Sequence, residues 1–141
     1  MEPTKDTKKL NPPASTEIDP NSKLAGLHIL IVEDMGMIVL ELRRMLEEMG
    51  CSIVGVASRL SEAMKLAQNT EHLDGVLLDL NLASQSSYSV AEILRERGIP
   101  FIIMSGYDTV HIRADCANDA HLQKPFNQDD LAKKMLSTFP R

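Results

Sequence analysis

Short apolar runs recur along the chain, and each stops abruptly at a polar residue. His28-Ile29-Leu30-Ile31-Val32 runs into Glu33-Asp34, Val76-Leu77-Leu78 into Asp79, and Phe101-Ile102-Ile103-Met104 into Ser105. A weaker run ends in Lys124-Pro125. Runs of this length between polar boundaries predict buried strands. The spacing changes between them. Ile38, Leu42, Met45 and Leu46 fall on one stripe and predict a helix over about Met37 to Met49, stopped by Gly50. Cys51 to Ala57 alternates and is rich in β-branched residues, as in a second strand. Leu60, Ala63, Met64 and Ala67 give the buried face of a second helix, with Ser58 or Ser61 as its expected cap.

Gly75 to Leu80 is the third predicted strand, followed by a polar loop over Asn81 to Ser87. A third helix runs from Tyr88 to Arg97, with Gly98 at its end, and Pro100 introduces the fourth strand, Phe101 to Ser105. Tyr107 to Asp119 is polar, with Val110, Ile112 and Ala114 as its apolar anchors, and reads as a short, loosely packed helix. A brief fifth strand covers Ala120 to Gln123. Asn127 then caps a last helix to about Thr138, its first turn carrying Asp129 and Asp130 as the helix dipole favours.

Strands alternating with helices predict an α/β fold with a parallel sheet, and right-handed crossovers place helices on both of its faces. Residues 1 to 24 stand apart. They hold four of the seven prolines and little apolar periodicity, and read as a disordered tail ahead of one domain over residues 25 to 141. The total of 141 residues suits a single core. A net charge of −5 with no basic stripe argues against direct nucleic-acid binding. No run is long enough to cross a bilayer and no signal peptide is visible, so a cytoplasmic protein without membrane contact is expected. Cys51 and Cys116 match no metal-ligand spacing, and His28, His72 and His111 have no spaced metal partners. Asp74, just before the third strand, reads as a turn residue or an outer hydrogen-bonding residue.

The ends of the strands carry the chemistry. In a parallel sheet their carboxyl ends share one edge, where open α/β sheets bind ligands. Singly, Glu33-Asp34, Asp79, Ser105-Gly106 and Lys124 are ordinary turn or surface residues. Together they put three acids, a hydroxyl and an amine in one crevice. Three close carboxylates repel, and a divalent cation relieves the repulsion. Mg2+ takes oxygen ligands and keeps open positions for a phosphoryl oxygen. An ionised aspartate can attack phosphorus to give an aspartyl phosphate, and Asp79, at the end of the most apolar strand, is the best placed. Lys124 supplies a cation and Ser105 a hydroxyl donor, and a cis bond at Lys124-Pro125 would aim the lysine inward.

At these residues the chain resembles the receiver domain of two-component response regulators, over about residues 26 to 139. The matching stretches are Ile29 to Asp34, Gly75 to Leu82, Ile102 to Gly106 and Leu122 to Phe126. The loop Asn81 to Tyr88, followed by Val90-Ala91, looks like that of a stand-alone bacterial subgroup. The resemblance implies a flavodoxin-like, doubly wound, five-stranded parallel sheet of order 2-1-3-4-5. It implies Asp79 as the phosphoacceptor, and Asp34 (directly) and Glu33 (through water) as the metal-binding acid pair. It implies the Asn81 backbone carbonyl as a further metal ligand, Ser105 as the switch hydroxyl, and Lys124 as the phosphate-contacting lysine. The phosphoryl donor would be a sensor histidine kinase or phosphotransfer protein. The output would be contact with an unknown downstream protein, or the draining of phosphoryl groups as a phosphate sink. One departure stands out. The family often carries Tyr or Phe where this chain has His121, leaving open whether His121 swings as a switch, adds a pH dependence, or does neither. Tyr107 falls where side chains in the family influence phosphoryl lifetime.

The rival functions fit less well. A phosphatase of the haloacid dehalogenase type needs a second aspartate where Asn81 stands and a Thr or Val where Ala83 stands, and it needs a cap domain. An FMN carrier needs a hydroxyl- and glycine-rich phosphate loop, whereas Glu33-Asp34-Met35-Gly36-Met37 would repel phosphate. A receiver fold that binds partners without being phosphorylated remains the alternative. The chain is expected to catalyse only its own phosphorylation and dephosphorylation.

Overall fold

The computed structural model describes residues 23–106, 113–116 and 119–139. Five strands form one parallel sheet: β1 (His28–Val32), β2 (Ser52–Ala57), β3 (Gly75–Asp79), β6 (Phe101–Ser105) and β7 (Ala120–Gln123). Their order across the sheet is β2-β1-β3-β6-β7, the order implied by the resemblance. Four α-helices lie among the described residues: α1 (Gly36–Glu48), α2 (Leu60–Asn69), α3 (Tyr88–Arg97) and α4 (Gln128–Thr138). The predicted helix over Tyr107 to Asp119 falls largely outside the described residues. Within it a single 3-10 turn is seen at Ala114–Cys116.

Strand side chains alternate between the two faces, and each face builds its own core. Ile29, Ile31, Leu77, Ile102 and Met104 pack with Leu42, Met45 and Leu46 of α1 and Leu131 and Met135 of α4. Leu30, Val32, Val76, Leu78 and Ile103 pack with Ala63 and Ala67 of α2 and Val90, Ala91 and Leu94 of α3. This two-sided burial explains why β1 and β3 read as continuous apolar runs. Gly50 and Gly98 end α1 and α3 with positive φ of 84° and 70°, the left-handed turn that glycine adopts without steric cost.

Several boundaries differ from the sequence reading. The expected cap on α2, Ser58 or Ser61, is not used: Arg59 occupies the N-cap without a side-chain bond. The Ser58 N–H instead donates to Glu62 Oε1 at 3.2 Å. The loop over Asn81 to Ser87 contains a small antiparallel hairpin, β4 (Asn81–Leu82) and β5 (Gln85–Ser86). Its turn residues, Ala83 and Ser84, both have positive φ. No glycine or asparagine there signalled the turn. Leu24, placed at the end of the tail by the sequence, is buried, and its carbonyl accepts from Cys51 Sγ. α4 has the predicted Asn127 cap, completed to a capping box by Asp130.

Candidate metal and phosphoryl-acceptor site

Register brings the strand ends together. Val32 pairs with Leu78, so Glu33 emerges beside Asp79. Asp79 pairs with Met104 on the other side, and Ser105 pairs with Gln123, one residue before Lys124. Ile29 to Val32 and all five residues of β3 are buried, so the acids emerge from a rigid apolar floor. Glu33 and Asp79 are themselves buried, while Asp34 is exposed.

Lys124 lies between the two buried acids. Its Nζ donates to Glu33 Oε1 at 2.8 Å and to Asp79 Oδ2 at 3.0 Å. The peptide Lys124-Pro125 is cis. The lysine main chain is also fixed, its N–H donating to the Ser105 carbonyl at 2.7 Å. Burial lifts the Glu33 carboxyl to about 7 against the pull of Lys124, and the nearby Asp79 charge adds to the rise. Burial disfavours the Lys124 ammonium too, but its bonds to Glu33 and Asp79 outweigh that and hold it above its ordinary range. The site is therefore short of positive charge.

Three carboxylates converge here. One oxygen each from Glu33, Asp34 and Asp79 lies within 4.8 Å of the others. The remaining contacts fix their aim. Met35 N–H donates to Glu33 Oε2 at 3.2 Å, Ala83 N–H to Asp34 Oδ2 at 3.0 Å, and Asn81 N–H to Asp79 Oδ1 at 3.1 Å. The hairpin after β3 thus reaches back to hold an acid that follows β1. Oxygen donors of this kind, one exposed and two buried around a deficit of cation, suit a hard divalent ion such as Mg2+.

The other residues singled out from the sequence are placed as follows. Ser105 is buried at the end of β6. His121 is half-buried on β7, and its Nε2 donates to the Cys116 carbonyl at 3.1 Å. Tyr107 lies outside the described residues. Asp74 lies at the opposite end of β3 from Asp79 and accepts from the His28 N–H at 2.7 Å. Sequence reasoning missed Ser87. It is fully buried, and its hydroxyl donates to the Asp79 carbonyl at 2.5 Å, fixing the backbone that carries the acid. Its place in a polar loop gave no sign of that bond.

Comparison with known proteins agrees with this fold. The sequence profile described as the response regulator receiver domain matches residues 29–136. The chain is 32% identical over 107 residues to the phyllosphere-induced regulator PhyR of Methylorubrum extorquens, a match covering 74% of this chain and 40% of that protein. It is 34% identical over 107 residues to the transcriptional regulatory protein PdtaR of Mycobacterium tuberculosis, covering 73% of this chain and 52% of that protein. The chain thus spans about half, or less, of the length of these curated relatives. Among solved structures, SdrG from Sphingomonas melonis Fr1 superposes with a TM-score of 0.72 at 32% identity, covering 78% of this chain and 93% of that one. The profile match covers most of the chain, and the sheet order β2-β1-β3-β6-β7 and the fold agree with it: the chain belongs to the response regulator receiver domain family.

Proposed function

We propose that this chain is a phosphoacceptor of a two-component relay, with Asp79 as the residue that carries the phosphoryl group. The observation behind this reading is the buried Glu33–Lys124–Asp79 arrangement, with Asp34 beside it. An Asp79 carboxylate oxygen attacks phosphorus of a phosphohistidine on a sensor kinase or phosphotransfer protein. The P–N bond breaks, and the departing imidazole keeps the electron pair and takes up a proton. Glu33, Asp34, Asp79 and the Asn81 backbone carbonyl would hold Mg2+, which supplies neutralisation of charge on the transferring group. Lys124, already bound to Asp79, follows the new charge from carboxylate to phosphoryl oxygen. Ser105 donates its hydroxyl to a second phosphoryl oxygen.

The setting suits a donor the size of a protein. Met35, Met37 and Leu40 are exposed at the start of α1, next to the acid pair. Apolar side chains on the rim of a charged site favour a docked protein surface over a small free substrate. The chain therefore acts on its own phosphoryl group and on no separate substrate. The output is a rearranged surface read by a further protein, or the withdrawal of phosphoryl groups from the kinase.

Intact-mass spectrometry after incubation with acetyl phosphate tests this. One added phosphoryl group is expected with Mg2+ and none without it, and none in Asp79→Asn. If neither acetyl phosphate nor an autophosphorylated histidine kinase leaves an adduct, the chain is a binding module that works without phosphorylation.

A further inference from the structure

A second cluster of metal-ligating side chains lies at the opposite edge of the sheet. Ile29 pairs with Gly75 in register, so the residues just before them, His28 and Asp74, are neighbours across β1 and β3. They are locked together: His28 N–H donates to Asp74 Oδ2 at 2.7 Å, and Asp74 N–H donates to the His28 carbonyl at 2.8 Å. The loop between α2 and β3 adds His72. His28 Nδ1 lies 3.5 Å from Asp74 Oδ2, and His72 Nε2 lies 3.4 Å from the same oxygen. The two imidazole rings stack at 3.7 Å with 21° between their planes, so His72 has to turn out of the stack before both rings can aim a nitrogen at one ion.

We propose that His28, His72 and Asp74 form a binding site for a divalent transition ion of the zinc type. Three observations carry it. One ligand atom from each residue lies within 4.8 Å of the others. The 3.5 Å between His28 Nδ1 and Asp74 Oδ2 is close to the edge of a tetrahedron; bonds of about 2.0–2.1 Å put neighbouring ligands about 3.4 Å apart. His28 Nδ1 is buried and makes no hydrogen bond among the described residues. A buried ring nitrogen without a hydrogen bond is a rare state, and an ion answers it directly. Two imidazoles and one carboxylate select zinc-like ions over Mg2+, which demands oxygen. His72 is 68% exposed. It is free to close on the ion, and water would complete the shell.

The cluster stands one strand length from Asp79, about 17 Å along β3. An ion there would tie the α2–β3 loop to the first strand without touching the acid site. The test is a Zn2+ titration of the untagged full chain against a chromophoric chelator, in saturating Mg2+ so that the acid cluster is occupied. One Zn2+ per chain is expected. His72→Ala, an exposed position that leaves the fold intact, should weaken it at least about tenfold, as should His28→Ala. Asp34→Asn should leave it unchanged. Zn2+-induced shifts of the His28 and His72 imidazole nitrogens in NMR should accompany binding. No Zn2+ uptake, full affinity in His72→Ala, or a loss confined to Asp34→Asn would each overturn the site.

Discussion

Lys124 is the residue on which the site turns. Its ammonium occupies one oxygen of Glu33 and one of Asp79, and so stands in for part of the charge that a metal or phosphoryl group changes. Replacing it with Ala removes the one cation among the described residues that is bonded to both acids. Lys124→Ala should therefore slow phosphoryl uptake from acetyl phosphate by about 10²-fold, the scale of losing one charge-stabilising donor. The same variant should bind Mg2+ no more weakly than wild type at pH 8, because metal and lysine compete for the same oxygens. Isothermal titration checks the second point and timed mass spectra the first. Glu33 sets a pH dependence. Its folded pKa, raised by burial, is about 7 against an ordinary value of 4.5. Between those values the folded chain binds more protons than the unfolded chain, so metal-free stability falls as pH rises through the window. Mg2+ has to displace that proton at low pH. The rise in Tm on adding Mg2+ should thus be larger at pH 8 than at pH 5.5, and an equal or smaller rise at pH 8 would contradict the role given to Glu33.

Elements place these residues by register more than by local preference. β3 ends at Asp79 because every residue before it is buried between two helical layers, and the chain has to reach solvent there. Gly75, at the other end of β3, is needed for packing: a Cβ on it would sit 2.7 Å from the Phe139 ring that closes the end of α4. Gly75→Ala should cost about 1–3 kcal/mol, the usual penalty for overpacking, in urea unfolding. Gly36→Ala, where a Cβ meets nothing within 4 Å, should be close to neutral or stabilising. The strands, the helix stripes and the strand-end acids were legible in the sequence because apolar period and abrupt polar ends are local signals. The Ala83-Ser84 turn was not, since both residues adopt positive φ against their preference while held by the Asp34 contact. Ser87 and the His28–His72–Asp74 cluster were hidden for a related reason. Neither leaves a local pattern: Ser87 bonds eight residues back from within a polar loop, and only the paired register of β1 and β3 brings His28 to Asp74.

At the scale of the molecule, one sheet separates two chemistries. Its carboxyl edge carries hard oxygen donors around Asp79, and its amino edge carries the imidazoles of His28 and His72 beside Asp74. The two cores behind them, α1 and α4 on one face and α2 and α3 on the other, hold both edges at fixed spacing. Two segments are bonded to the site and would carry a charge change at Asp79 outward: the β4–β5 hairpin by way of Asn81 and Ala83, and the β7–α4 junction by way of Lys124. No described helix is long and apolar enough to cross a membrane. Asp79 is the residue proposed to carry the phosphoryl group. Borohydride reduction of the phosphorylated chain followed by peptide mapping tests it most directly, since an aspartyl phosphate is reduced to homoserine. Homoserine at position 79, formed only when Mg2+ was present, is the predicted result. Homoserine at position 34 or elsewhere, with Asp79 intact, would contradict it.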